Sequence, residues 1–425
     1  NREILSELKE KEPKAGGIAS YLHSYAKYPV YKNTKLIYFD EAEKGLEAQL
    51  ADLAKAEKFI FMEYHAIEDA QAWSRIQQVL EERVRAGVEV RVFYDDMGSI
   101  GFVNKKFAEK LEAVGIRCHV FNPVHPMMNV FLNNRDHRKI TVIDGKIGYT
   151  GGYNLANEYF NITHPYGQWK DTGVRVTGRA VNSFTMMFFN IWNAFRKDKG
   201  KLRDFIAPEY REEEYAAADG ASETVGKNGT HIPVESIGES PHGKGYFVQP
   251  YDDSPLDRES VGETVYLDLI NRASKYLYIF TPYLILDDFM RTALCNAAKR
   301  GVDVRIVTPG IPDKKMVFRL TRSNYAPLMK SGVKIYEYTP GFIHAKSMVC
   351  DDEAAVVGTI NLDYRSLYLH FENAVYFSHC DAVAAVKQDG EDVFAVSKRM
   401  TIEDTRQTFI GKLVDSVLRV FETLL

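Results

Sequence analysis

No stretch of 18 consecutive apolar residues occurs anywhere in the 425-residue chain, so nothing in it reads as a membrane-spanning helix. The most apolar segment, Phe184 to Trp192, is interrupted by Asn190 and followed by Asn193. It is expected to be a helix of the core. Cysteine is scarce: Cys118, Cys295, Cys350 and Cys380 stand far apart and form no Cys-x-x-Cys pair. That argues against a disulfide framework or a structural zinc site and suits small buried side chains in a reducing compartment. Nor is there a surplus of positive charge. The net charge is −4 and the pI ≈ 6.3, whereas a protein that grips nucleic acid is more often basic. No secretory leader is recognisable. The first residue is Asn1, not Met, so upstream residues are expected to have been removed.

What is present is a globular composition, 45% hydrophobic and 26% charged, long enough for one large or two ordinary domains. Within it the pattern His-x-Lys-x-x-x-x-Asp occurs twice, as His137, Lys139, Asp144 and as His344, Lys346, Asp351. Each copy is followed at the same distance by a tetrapeptide ending in Asn, Gly151-Gly152-Tyr153-Asn154 and Gly358-Thr359-Ile360-Asn361. Flanking segments also match, in the same order. Lys58–Met62 resembles Lys275–Ile279, Arg85–Val92 resembles Arg300–Ile306, and Gly115–Pro123 resembles Gly332–Pro340. A repeat this long is a domain duplication. Short aromatic and β-branched runs alternate with helical windows at 41–56, 70–86, 103–114, 257–274, 286–300 and 315–331, which makes each half an α/β unit. The expected division is an N-terminal segment 1–34, a first lobe 35–197, a linker or excursion 198–245 and a second lobe 246–425.

His137 and Lys139 are two apart in a run that reads as a strand, as are His344 and Lys346, so each pair projects from one face. Two such pairs meeting in one cleft make a site for attacking a phosphodiester. One imidazole can attack phosphorus; the other can protonate the leaving alkoxide and then deprotonate the incoming alcohol. Lys139, Lys346, Asn154 and Asn361 would hold the non-bridging oxygens. Two ammonium groups supply positive charge, so no metal or other cofactor is implied. Asp144 is followed by Gly145, a hairpin-turn signal, and Asp351-Asp352 stands at the matching place. Both aspartates read equally well as turn residues or as direct participants in catalysis. A reactive imidazole needs an acceptor on its other nitrogen, and Asp171 and Glu372, at matching places in the two halves, are the proposed orienting carboxylates. The halves differ before the first motif, where ten extra residues, 124–133, are apolar for a loop.

Asn134–Ile140, Gly151–Tyr159, Thr281-Pro282-Tyr283, Gly341–Lys346 and Gly358–Ser366 resemble the phospholipase D superfamily and, within it, the bacterial cardiolipin synthases. The resemblance runs from about residue 35 to the C-terminus. His370 departs from it, standing where that family more often has Asn. The resemblance implies a phospholipase D-like fold, two homologous α/β lobes about a pseudo-twofold axis with one shared active site. It implies transfer of a phosphatidyl group between two phosphatidylglycerol molecules, with His137 as nucleophile and His344 as acid and base. It further implies a bacterial cytoplasmic membrane location, with the family's spanning helices missing here, and an anionic membrane surface but no nucleic acid as partner. For a lipid substrate, Met127, Met128, Val130, Phe131 and Leu132 of the extra loop are expected either to touch the bilayer or acyl chains or to pack on the first lobe. Arg319, Arg322 and Tyr325 share a helix face that would hold a second phosphate or simply be solvated. A hydrolytic phospholipase D would share every motif residue. A nucleic-acid phosphodiesterase would need a basic groove with interleaved aromatics, and a non-catalytic scaffold would show decay of one motif. Nothing in the sequence implies an oligomeric state.

Overall fold

The computed structural model describes residues 2–32, 34–104, 106–123, 134–195, 201–210, 247–406 and 418. Two sheets of one design dominate it. The first contains β1 (Lys35–Phe39), β2 (Phe59–Tyr64), β3 (Glu89–Asp95), β4 (Arg117–Phe121), β5 (Lys139–Ile143), β6 (Ile147–Gly151) and, after a short separate strand β7 (Gln168–Lys170), β8 (Gly173–Thr177). Its order is β1-β8-β6-β5-β2-β3-β4. The second half supplies β9 (Phe247–Asp253), β10 (Tyr276–Phe280), β11 (Asp303–Pro309), β12 (Lys334–Tyr338), a short β13 (Gly341–Ile343), β14 (Ser347–Cys350), β15 (Ala354–Gly358), β16 (Glu372–Ser378) and β17 (Ser397–Arg399). Read from β9, the second sheet runs β9-β16-β15-β14-β10-β11-β12-β17. This is the first order repeated with one strand added, so the duplication seen in sequence is a duplication of fold.

In each sheet three neighbouring strands are parallel and joined by helices, and the rest are antiparallel. The crossover helices explain why β2 is buried along its whole length: a sheet covered on both faces needs no polar alternation. Helices at Ala42–Leu53, Gln71–Arg85, Phe107–Ala113, Val261–Arg272 and Asp288–Lys299 fall inside the expected windows. The sixth window breaks into Lys315–Ser323 and Tyr325–Lys330. Pro327 has no N–H to give the Ser323 carbonyl, and the Asn324 amide turns aside to Leu284 O at 3.1 Å. The apolar Phe184 segment is a mostly buried helix, Val181–Phe195, stacking Phe188 on Phe61 at 4.7 Å. No helix among the described residues is long and apolar enough to cross a membrane.

The lobes interlock. The Val181–Phe195 helix also packs on β9 of the other sheet, and its counterpart Asp381–Ala395 packs on β1, where Tyr38 Oη donates to Asp389 at 2.6 Å. Phe59 and Phe61 point into a core continuous with that of the second lobe, while Ile60, Met62 and Tyr64 face a separate core of the first. Buried Arg138 ties the sheets at its charged end, reaching Glu63 of β2 at 2.7 Å and Asp252 of β9 at 3.1 Å. The N-terminal helices Arg2–Lys11 and Pro13–Ser24 belong to the second lobe's surface. Ile18 and Leu22 enter the shared core, and Gln249 Nε2 donates to Tyr28 O at 2.7 Å. Of the expected linker, residues 201–210 lie against the first lobe, with the Phe205 ring 5.1 Å from those of Phe59 and Phe61. Residues 211–245 fall outside the described residues, as does the apolar loop 124–133.

Both motif aspartates sit in hairpin turns with left-handed backbone, Asp144 and Gly145 at φ 53° and 68°, Asp351 and Asp352 at 54° and 58°. Their carboxylates tie the turn to the start of the neighbouring strand. Asp144 accepts from the backbone N–H of Glu57, Lys58 and Phe59 at 2.7–2.9 Å. Asp351 accepts from those of Ser274, Lys275 and Tyr276 at 2.6–2.9 Å and from the Ser274 hydroxyl at 2.8 Å. Asp351→Ala is expected to lower stability by about 2–4 kcal/mol, the scale of several charge-assisted bonds partly replaced by water. An unchanged urea midpoint would contradict the tethering.

Candidate active site

The motif histidines precede their strands instead of lying within them, because their backbones pair with the other lobe. His137 N–H donates to Phe371 O at 2.9 Å, and Phe371 N–H returns a bond to Arg135 O at 2.9 Å. In the second copy, β13 pairs in parallel with β7, and His344 N–H donates to Lys170 O at 2.7 Å. One residue beyond each crossing stands a carboxylate. His137 Nδ1 donates to Glu372 at 2.9 Å; His344 Nδ1 donates to Asp171 at 2.7 Å. Each imidazole is thus held by an acid of the opposite lobe, and the acceptor fixes the proton on Nδ1, leaving the Nε2 lone pair free.

Both carboxylates are fully buried and are themselves held. Asp171 accepts the Thr172 N–H at 2.9 Å and lies 3.5 Å from the Trp169 indole nitrogen. A Cβ on Gly152 would stand 2.1 Å from its Oδ1, so only glycine leaves room for it. At the matching position the Thr359 hydroxyl donates to Glu372.

The motif lysines lie buried behind the histidines. Lys139 Nζ donates to His137 O at 2.6 Å, and Lys346 Nζ bonds His344 O in the same way. Burial lowers both ammonium groups, to about 8 for Lys139 and about 7 for Lys346, although nearby Glu372 and Asp171 oppose it. Burial and the adjacent lysine lower His344 to about 3. Burial, Lys139 and His370 hold His137 well below the ordinary imidazole range. Burial alone would raise the Asp171 carboxyl, but His344 and Lys346 bring it below its usual value. At neutral pH both imidazoles are therefore uncharged and able to act as nucleophile or base. The positive charge sits on Lys139 and in part on Lys346, where a phosphodiester monoanion would need it.

Both histidines open on one cavity of about 390 Å³, walled by Tyr159, Tyr166, Trp169 and Tyr283 and with Arg135, Lys314 and Arg365 among its cations. Asn154 and Asn361 also line it. Asn154 is committed on both sides, accepting from Ala66 N–H at 3.1 Å and donating to Tyr159 Oη at 2.9 Å. Buried Asn361 Oδ1 has no hydrogen-bond partner. Asp144 and Asp351 are not brought into the cavity; their oxygens are spent at the far ends of the strands, which corrects the catalytic alternative. Met127, Met128, Val130, Phe131 and Leu132 lie outside the described residues. Arg322 pairs with Glu337 at 2.6–2.7 Å and Tyr325 is buried against Thr308, so Arg322 and Tyr325 are engaged within the second lobe.

Two histidines beside His137 went unassigned in the sequence. His65 packs edge-on at 4.9 Å and donates from Nδ1 to Asp136 O at 2.8 Å. The His370 ring stands 5.6 Å from that of His137. The signal for the second was the duplication itself, which aligns His370 with Trp169.

The cardiolipin synthase, PLD-like domain family matches residues 50–188 and 266–393. A Streptococcus mutans protein described only as uncharacterized is 43% identical over 100% of this chain and 86% of its own length. A cardiolipin synthase of Geobacillus kaustophilus is 32% identical over 94% of this chain and 74% of its own. Among solved structures, a phosphatidylserine synthase of Haemophilus influenzae superposes with a TM-score of 0.67, covering 97% of this chain and 100% of that one at 16% identity. That likeness concerns the fold. Gly152→Ala is expected to push Asp171 off His344. One downfield imidazole N–H proton resonance should disappear while that of the His137–Glu372 bond stays; survival of both would show that the cradle can yield.

Proposed function

The chain belongs to the cardiolipin synthase, PLD-like domain family, and on that footing we propose that it transfers a phosphatidyl group from one phosphatidylglycerol to a second, giving cardiolipin and glycerol. The observation that carries this reading is the pair of uncharged imidazoles, each held at Nδ1 by the other lobe's carboxylate and open to one cavity. In this scheme His137 Nε2 attacks phosphorus and the bond to the glycerol headgroup breaks. The entering phosphate anion raises the proton affinity of the groups around it, so His344 takes up a proton from solvent as the lipid binds and gives that proton to the departing alkoxide. The phosphatidyl group now rests on His137 as a phosphohistidine, whose ring charge faces Glu372. A hydroxyl of the second lipid then loses its proton to His344 and attacks phosphorus, which frees His137. One phosphodiester is exchanged for another, so the sequence needs no nucleotide.

Lys139, Lys346, Asn154 and Asn361 are assigned to the non-bridging oxygens. Asp171 and Glu372 orient the imidazoles, and Asp144 and Asp351 are framework. The substrate is a phospholipid, and the place of action is the anionic surface of a bacterial membrane.

Vesicles of phosphatidylglycerol incubated with the protein are expected to yield cardiolipin and glycerol by mass analysis. Phosphatidic acid alone would replace the proposal with a hydrolase. In a His344→Ala variant a phosphatidyl adduct should accumulate on His137; an adduct on residue 344 in a His137→Ala variant would reverse the roles. The pH dependence has a definite sign. Lys346 and Lys139 are lowered to about 7 and about 8, so raising the pH removes the charges that hold the phosphate. kcat/KM reports the free enzyme and should fall about tenfold per pH unit above roughly pH 7, where Lys346 loses its proton, and more steeply above roughly pH 8, where Lys139 loses its own. A profile flat to pH 10 with dispersed short-chain lipid would contradict the assignment of the lysines.

A further inference from the structure

The two halves of the site repeat the same histidine–carboxylate pairing, and one of the places where they differ lies beside each carboxylate. Trp169 stands two residues before Asp171; His370 stands two residues before Glu372. Each ring packs beside the motif histidine, Trp169 5.2 Å from His344 and His370 5.6 Å from His137. Each turns a nitrogen toward the orienting carboxylate, Trp169 Nε1 at 3.5 Å from Asp171 and His370 Nδ1 at 3.7 Å from Glu372. The chemistry of the two rings differs. An indole N–H can only donate and never changes charge, whereas an imidazole can take a second proton in the range pH 5–8. Neither ring nitrogen of His370 has a hydrogen-bond partner, nor has the buried Glu372 Oε1 that faces it.

We propose that His370 is a positioning residue whose protonation sets the charge felt by Glu372 and, through it, the stability of the phosphatidyl group on His137. The inference rests on the proposed phosphatidyl transfer. A phosphohistidine that keeps its Nδ1 proton carries positive charge on the ring, and Glu372 stabilises it. With His370 neutral, Glu372 keeps its full negative charge and the covalent state is favoured. With His370 protonated, the carboxylate is partly neutralised, so the intermediate forms less readily and breaks down faster. No bond is made or broken at His370, and its proton exchanges with solvent. The second motif has no such control, because Trp169 is always neutral. His344 is thereby left as the plain acid and base.

Several other charges bear on His370. His137 and His65 face it from the first lobe, and Asp363 from the cap of the short helix before it. The Arg365 carbonyl takes its backbone N–H at 3.0 Å. Asp253, Arg258 and Glu259 line a second, smaller cavity that His370 also borders. None of these comes between His370 and Glu372 in the contacts described.

The deciding experiment is an imidazole nitrogen NMR titration of the lipid-free protein between pH 5 and 8. His137 is expected to show an inflection that follows the ionisation of His370. In His370→Asn, an amide that can donate to Glu372 but cannot ionise, that inflection should be gone. In Glu372→Gln, His370 should still titrate while His137 no longer reports it. A His137 titration identical in wild type and His370→Asn overturns the proposal, whether or not the protein turns over phospholipid. The transfer assay is read separately. The pH profile of kcat/KM should lose one ionisation in His370→Asn, with the thermal midpoint confirming the fold. Loss of the NMR inflection without any lipid turnover in the wild type would sustain the coupling and reject the function.

Discussion

Everything at the centre of this molecule depends on a backbone crossing. Just before β5 and before β14 the chain leaves its own sheet and pairs with the opposite lobe, through a single bridge in the first case and a short strand in the second. That crossing puts His137 against Glu372 and His344 against Asp171, across 235 and 173 residues of chain. A carboxylate buried this deeply is costly unless paired, and the imidazoles are what it pairs with. The pairing in turn fixes each histidine's tautomer, and the freed Nε2 atoms open on a common cavity. If the lobes slid apart, both acids and both bases would lose their partners together. The rest of the interface works against that: the Val181–Phe195 and Asp381–Ala395 helices each grip the other sheet's edge, and Arg138 spans both sheets.

Much of this architecture was legible in the sequence. The same residues recur around β3 and β11 because parallel strands that enter from a helix impose the same demands twice. Asp144 before Gly145 marked a hairpin as much as a catalytic acid, and the structure resolves that ambiguity through the amides the carboxylate accepts. Asp171 and Glu372 could be picked out as matching acids near matching strands. Which acid serves which histidine could not be read. Spacing along a chain is silent about which lobe a side chain faces, and Glu372 follows His344 closely while serving His137. The partners of Arg322 and Tyr325 were hidden for a related reason. Periodicity places residues on one side of a helix, but Glu337, which claims Arg322, comes from a strand. Gly152 was visible only as a repeat of Gly151; its purpose, leaving space for Asp171, exists only in three dimensions.

The electrostatics give the site a consistent character. Buried lysines and buried acids are present in near balance, and the two imidazoles between them stay neutral. An anion entering such a site meets charges already in position and already stripped of water, the condition under which fixed dipoles and ions act most strongly. The same burial makes the site responsive, since each proton gained or lost changes a small set of strongly interacting groups. Aromatic side chains from both lobes, among them Trp169 and Tyr283, wall the chamber around them.

The swapped carboxylates also have a genetic consequence. Neither half of the chain contains a complete histidine site, so each half needs a partner that supplies the carboxylate. In a pair of identical subunits every substitution would be made twice, and the site would stay symmetric. Joining the halves in one reading frame removes that restriction. Tryptophan can occupy one position and histidine its twin, and ten residues can be inserted before one motif alone. The fusion preserves the mutual dependence of the halves while allowing each to be inherited with its own differences.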